Sequence, residues 1–343
     1  MKKIYFTNDV RRLEKETMNT AGVGEIELIE RASSAVAGKI LALERPKEKI
    51  AVFCGGGKNG ADGLAAARIL HMSNLEVYAV LVYPDRLCPE AALKLEEYKG
   101  VHGKLIGIDE INLSNFDIVI DAIFGTGLNK PLKDTALKAV SIINSSDAFT
   151  VSVDIPSGIN ADTGDVMGSA VYADLCITFS FAKPGHILWP GREYSTQSEI
   201  IDIGLNVDDN GIDWIEEGDI KEVFPPRKIN THKGNYGKLA IIAGSLGMMG
   251  AAIMSCEAAY RTGSGMVTLA YPLQPQGTIN ENKPHEIITM PLPEKSGCIS
   301  EEAKDLLKLL AIDKDCAAVG MGLGRSEDIF SVIKFIALTY NVP

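Results

Sequence analysis

Apolar residues in this chain gather in short, near-continuous blocks, and most of these blocks run into a loop rich in glycine, proline or aspartate. "KIAVFC" (49–54), "EVYAVLVY" (76–83), "FDIVIDAIFGTG" (116–127), "FTVSVDIPSG" (149–158), "DLCITFSFA" (174–182) and "SEIIDIG" (198–204) each read as a strand. Between them, "ADGLAAARIL" (61–70), "PEAALKLEEYKG" (89–100) and "TALKAVSIINSS" (135–146) read as helices. Upstream, Thr7 or Asn8 can cap a helix through about Met18. Ile26, Ile29, Ala32, Val36 and Ile40 keep helical spacing within 25–43. Apolar strands that alternate with helices predict a largely parallel sheet covered on both faces.

The pattern pauses over 208–233, which is charged and lacks a strong period, and then restarts. "KLAIIAG" (238–244), "GMVTLAYP" (265–272) and "CAAVGMGLG" (316–324) read as strands. "GAAIMSCEAAYRTG" (250–263), "EEAKDLLKLLA" (301–311) and "DIFSVIKFIALTY" (328–340) read as helices. Two domains are therefore expected, 1–215 and 216–343, the second small for an α/β unit. Leu239–Cys256 is an uncharged run of 18 residues, the lower edge for a membrane span. Its glycines and "GSLGMMG" break favour a buried strand, a loop and a helix.

Composition narrows the function. The chain has 343 residues, 46% of them hydrophobic, and a net charge of −11. That balance suits a packed core and opposes a nucleic-acid footprint or an anionic membrane surface. No two of the six cysteines lie closer than 18 residues, so neither a C-x-x-C pair nor zinc spacing exists. Reduced, buried thiols in a cytoplasmic protein are expected. The N-terminus lacks the apolar stretch of a signal peptide.

Ligands of parallel α/β sheets bind at the carboxyl ends of the strands. Three polar loops fall there: "GGGKNGADG" (55–63), "DAIFGTGLNKP" (121–131) and "DIPSGINADTG" (154–164). In the first, Gly55, Gly57 and Gly60 fit the dinucleotide spacing G-x-G-x-x-G. Yet Asp62 would sit where a pyrophosphate belongs, and no ribose-binding acid follows at the right distance. Asn59, Asp121 and Ser157 are hard oxygen donors at strand ends, which suits a hard cation. Asp154 opens a D-I-P-S-G turn, where a carboxylate at a strand tip can act as acid or base. Gly125 and Gly127 offer backbone N–H groups to a phosphate. Taken singly, such residues are as readily helix caps and turn formers. Three loops after three strands make a stronger signal.

"CGGGKNGADGLAAARIL", "DAIFGTGLNKPL", "VSVDIPSGINADTG" and "TFSFAKPGHILWPG" together resemble the NAD(P)H-hydrate epimerase family over about residues 1–215. The resemblance implies a Rossmann-like three-layer fold, a potassium ion, and interconversion of the R and S forms of hydrated NADH or NADPH. By resemblance, Asn59, Asp121 and Ser157 fall on the potassium ligands. Lys58, Asn59, Gly60, Ala61 and Asp62 fall on substrate positions. So do Gly125, Thr126, Gly127, Leu128, Asn129, Lys130, Pro131 and Asp154. The family reads N-N-G-G-D at the first loop, and here Lys58 and Ala61 replace the first Asn and the second Gly. The hydrated carbon is a carbinolamine, so opening and closing the ring, or losing and regaining the hydroxyl, scrambles it. Either route needs a positioned acid or base, the role expected of Asp154.

"THKGNYGKLAIIAGSLGMMGAAIMSCEAAYRTGSGMVTLAYP" and "AVGMGLGRS" resemble the ADP- or ATP-dependent NAD(P)H-hydrate dehydratases, which have a ribokinase-like fold. Ala251 and Gly322 or Gly324 then fall near substrate positions. The family's G-T-G-D loop, with its catalytic Asp, does not occur. The resemblance therefore implies an incomplete ribokinase-like domain and a lost dehydratase, with ADP or ATP used only if a second chain completed it. The leading expectation is a homo-oligomeric epimerase. A bifunctional enzyme completed by another chain and a non-catalytic nucleotide-binding protein are the alternatives. An NAD-dependent dehydrogenase is disfavoured by Asp62.

Overall fold

A computed structural model of the chain describes residues 2–224, 226–274 and 283–343. The chain divides into two compact units, Met1–Phe224 and Pro225–Pro343.

The first unit is built on seven parallel strands. They are β2 (Lys49–Cys54), β3 (Glu76–Leu81), β4 (Lys104–Leu105), β5 (Ile118–Ala122), β6 (Phe149–Val153), β7 (Ala173–Phe179) and β8 (Ser195–Ile201), ordered β4-β3-β2-β5-β6-β7-β8. Counted within the sheet, that order is 3-2-1-4-5-6-7, the Rossmann arrangement, with its switch point between β2 and β5. Alternate residues of β2 serve opposite faces. Ile50, Val52 and Cys54 join a core with α1 (Thr7–Ala21), α2 (Glu25–Ala42), α3 (Lys58–Met72) and α4 (Pro89–Gly100). Ala51 and Phe53 join a second core with α5 (Asp134–Asn144). The three-layer expectation holds because both faces of these strands are apolar.

Two local expectations change. Thr7 does not cap α1 but begins it. Its amide and hydroxyl both donate to the Asp162 carboxylate, at 2.7 and 2.8 Å, so the cap comes from the loop after β6. The unit also extends past residue 215. β9 (Ile212–Trp214) pairs antiparallel with β1 (Lys2–Ile4), and α6 (Glu217–Val223) follows within the same unit. Neither short strand carries a long apolar run, which hid the pairing.

The second unit holds four parallel strands. β10 (Lys238–Ile242), β11 (Met266–Pro272), β12 (Ile288–Leu292) and β15 (Cys316–Val319) run in the order β12-β11-β10-β15. A small hairpin pairs β13 (Glu294–Lys295) with β14 (Cys298–Ile299). The uncharged run 239–256 splits into β10, a turn and α7 (Met249–Arg261). Among the described residues, no helix is long and apolar enough to cross a membrane.

Candidate functional site

The loops after β2, β5 and β6 meet because their strands are neighbours in the sheet. Glycine makes the meeting possible. A Cβ on Gly55 would lie 1.9 Å from the Ile123 carbonyl oxygen, and one on Gly60 would lie 1.9 Å from that of Gly55. These two glycines of the G-x-G-x-x-G spacing therefore serve backbone packing. Above them opens a cavity of about 730 Å³, within the size range of small-molecule sites. Lys58, Asn59, Asp62, Gly125, Thr126, Gly127, Leu128 and Asp154 line it. α1 contributes Arg11, Glu14 and Lys15 among others.

Asp154 is the most constrained of these residues. Its φ is +70°, a left-handed conformation that costs energy for any side chain but is best tolerated by Asp and Asn. Its amide donates to the Ile177 carbonyl at 2.7 Å. Its own carbonyl lies 2.8 Å from His186 Nε2. The His186 Nδ1 accepts from the Lys183 amide at 3.0 Å, so Nε2 carries the proton and donates to Asp154. Burial, reinforced by the Lys183 charge, drops the His186 pKa to about 4, and the ring is neutral at pH 7.

The Asp154 carboxylate takes a hydrogen bond from Lys183 Nζ at 2.6 Å on Oδ1, and one from the Thr126 amide at 3.2 Å on Oδ2. Lys183 also donates to Thr178 Oγ1 at 2.6 Å, and its side chain is only 2% exposed. Burial acts to raise the Asp154 pKa, but the Lys183 charge and hydrogen bond outweigh it and hold the carboxyl below its ordinary value. Two other carboxyls on the cavity move the opposite way. Burial first, then Asp154 and Glu14, push Asp62 well up. Burial first, then Asp154, push Glu14 up. The Lys183 charge thus lowers the pKa of one carboxyl on the cavity, while burial raises those of two others, so their affinities for a proton are pushed apart.

Asp121 and Ser157 lie below the cavity, 0% and 1% exposed. Asp121 accepts from Ser157 Oγ at 2.6 Å, the Ser157 amide at 2.8 Å and Ser152 Oγ at 2.9 Å. Burial still raises its pKa, and no cationic side chain among the described residues pairs with it. Asn59 is 9% exposed, and its Nδ2 is buried without a partner. A Cβ on Gly125 would come within 3.2 Å of Asn59 Oδ1 and 2.8 Å of Asp154 Oδ2, so glycine keeps these oxygens uncovered. Asp121 and Ser157 are thus in direct contact, a pair of hard oxygen donors without a cationic partner among the described residues, which suits a hard cation, while Asn59 Oδ1 lies on the Asp154 side, next to Gly125.

The remaining expected residues lie elsewhere. Gly60 and Ala61 are buried inside the first turns of α3, and Ala61 packs with Ile29, Ala65 and Ala91. Its methyl faces the core rather than the cavity. Asn129, Lys130 and Pro131 are exposed and do not line the cavity. In the second unit, a Cβ on Gly322 would lie 3.3 Å from that of Ala251, which places the two together at the start of α7. One on Gly324 would lie 3.5 Å from Ser245 Oγ. Sequence reasoning missed Lys183, His186 and Glu14. The K-P-G-H stretch held the first two in plain view, whereas nothing local marked Glu14.

Residues 25–185 match the family described as YjeF-related protein N-terminus, and residues 239–342 match the NAD(P)H-hydrate dehydratase family. The bifunctional NAD(P)H-hydrate repair enzyme Nnr of Thermofilum pendens is 34% identical over 99% of this chain and 67% of its own length. Its namesake in Moorella thermoacetica is 33% identical over 95% of this chain and 63% of its own length. The Escherichia coli protein of that name is 30% identical over 94% and 62%. The chain thus spans about two thirds of the length of these relatives. With both family segments present in one chain, and relatives of one name along nearly all of it, the chain belongs to the family of bifunctional NAD(P)H-hydrate repair enzymes.

Proposed function

We propose that the first unit epimerises the hydrated forms of NADH and NADPH in the cytoplasm. The observation that carries this reading is Asp154, a strand-tip carboxylate held ionised by buried Lys183 on the floor of a nucleotide-sized cavity. The hydrated ring carbon bears a hydroxyl and the ring nitrogen. An ionised Asp154 can take the hydroxyl proton. The carbon–nitrogen bond then breaks, leaving an aldehyde and an enamine nitrogen anion conjugated to the ring carboxamide. The nitrogen re-adds to the other face of the aldehyde, and Asp154 returns the proton to the oxygen. The net change is inversion at one carbon, with no atom or electron gained or lost. Asp62 and Glu14 line the same cavity and offer polar contacts to the edge of the ring.

Asn59, Asp121 and Ser157 would hold a potassium ion. Its chemistry there is that of a countercharge for the buried Asp121 carboxylate. Lys58 is not free to serve the ring, since it pairs with Glu25 at the rim of the cavity. The match at 239–342 gives the second unit its kinship with the ADP- or ATP-dependent dehydratases. It lends no support to the expected loss of that activity.

The test uses hydrated NADH from which an active dehydratase has removed the S form. The protein and potassium are added, and the return of S is followed by chromatography. Return well above a blank, and lower by about 100-fold or more in Asp154→Ala, is expected, since a positioned acid–base group contributes about that much. No return from folded wild-type protein would overturn the catalytic reading and favour a binding protein.

A further inference from the structure

The charges lining the cavity are sorted by position. Asp154 is deep, its side chain only 13% exposed, and its charge reaches both Asp62 and Glu14. Four cations line the same space: Arg11, Lys15, Lys58 and Lys183. Lys183 is taken by Asp154 and Lys58 by Glu25. Arg11 and Lys15 make no ion pair among the described residues, although their neighbour Arg12 binds Asp208 at 2.6 Å and Glu16 at 3.1 Å. Arg11 and Lys15 are four residues apart, so they share one face of α1 a turn apart, and both are exposed. Glu14 lines the cavity from the same helix.

We propose that Arg11 and Lys15 form an anion subsite at the open end of the cavity, and that it takes a phosphate of the dinucleotide. The inference rests on the reading above. A dinucleotide carries its negative charge away from the nicotinamide ring, and at the deep end of this cavity the Lys183 cation is already spent on Asp154. The loop after β5 is partly committed, because the Thr126 amide already donates to Asp154. That leaves the two unpaired cations of α1 as charged donors, with Arg11 suited to fork onto phosphate oxygens. α1 precedes the family match at 25–185, so that match assigns these residues no role. The phosphate is either the diphosphate bridge, common to both substrates, or the 2′-phosphate, present only in the NADPH form.

The test compares wild type with the double variant Arg11→Gln/Lys15→Gln, using hydrated NADH and hydrated NADPH at low and high salt. KM is expected to rise about tenfold or more, and its salt dependence to shrink, because charge-assisted contacts are of that strength and are screened. A rise with both substrates identifies the diphosphate, and a rise with the NADPH form alone identifies the 2′-phosphate. Unchanged KM with both substrates overturns the subsite. A control, Lys99→Gln/Lys308→Gln, removes the same charge from exposed helix positions that do not line the cavity. An equal rise in the control would reduce the effect to net charge and also overturn the proposal. If wild type turns over neither hydrate, the epimerase reading fails separately. Binding of NADPH, followed by its fluorescence, then carries the same comparison.

Discussion

Asp154 is held from three sides: Lys183 on its carboxylate, His186 on its carbonyl, and Ile177 on its amide. This arrangement fixes both orientation and charge. Because its folded pKa lies below the ordinary value, the stability it contributes is full above the ordinary carboxyl value and is lost as pH falls from there through the depressed value. Lys183→Met removes the compensating charge and leaves the burial, so the carboxyl moves up. The acid limb of the epimerase rate should therefore shift to higher pH in that variant, and Lys183→Arg should restore part of the shift. A limb at the wild-type position in Lys183→Met would show that Lys183 does not set the charge of Asp154. Ala61 teaches the opposite lesson. It departs from the glycine of the resembled family, yet its backbone is helical and its methyl lies in the core, so the departure costs the cavity nothing visible.

At the scale of elements, α1 links the start of the chain to the loops that line the cavity. It lines the cavity, and its first turn is capped by Asp162, on the loop that begins at Asp154. Asp162→Ala removes the acceptor for the Thr7 amide and hydroxyl. Loss of an N-cap costs about 1 kcal/mol, and a denaturant titration should show destabilisation of that order, accompanied by a higher KM. Unchanged stability would mean that water replaces the carboxylate without loss. The cap was invisible in sequence because its two halves lie 155 residues apart. The central sheet strands, by contrast, were legible within a few residues, since a strand buried on both faces must be apolar throughout, whereas the largely exposed edge strands β4 and β12 were not. The short β1–β9 ribbon lacks that signature, and so the boundary fell at 224 rather than 215.

At the scale of the whole molecule, each unit has its own buried core. Leu307, fully buried, packs with Ile299, Leu310 and Val332 in the second unit. Leu307→Ala should cost about 2–5 kcal/mol and lower the melting transition of the second unit in calorimetry, while NADPH binding by the first unit persists. Loss of both together would show that the two units unfold as one. Over this scale the family assignment was also legible in sequence, because the quoted motifs recur in order along both units.

The sequence alone determined the layered α/β plan, the two-unit organisation and the kinship with hydrate-repair enzymes, and it marked the three glycine-bearing loops that the sheet brings together. It could do so because apolar periodicity and loop glycines are local properties of the chain. Only the tertiary structure decided which side chains act together. Lys183 reaches Asp154 across 29 residues, and Glu14 and Arg11 join the site from a helix that precedes every strand of the sheet. Charge and orientation at Asp154 depend on those distant partners. Electrostatic energies follow distance in space and burial, and neither is written in the local order of residues.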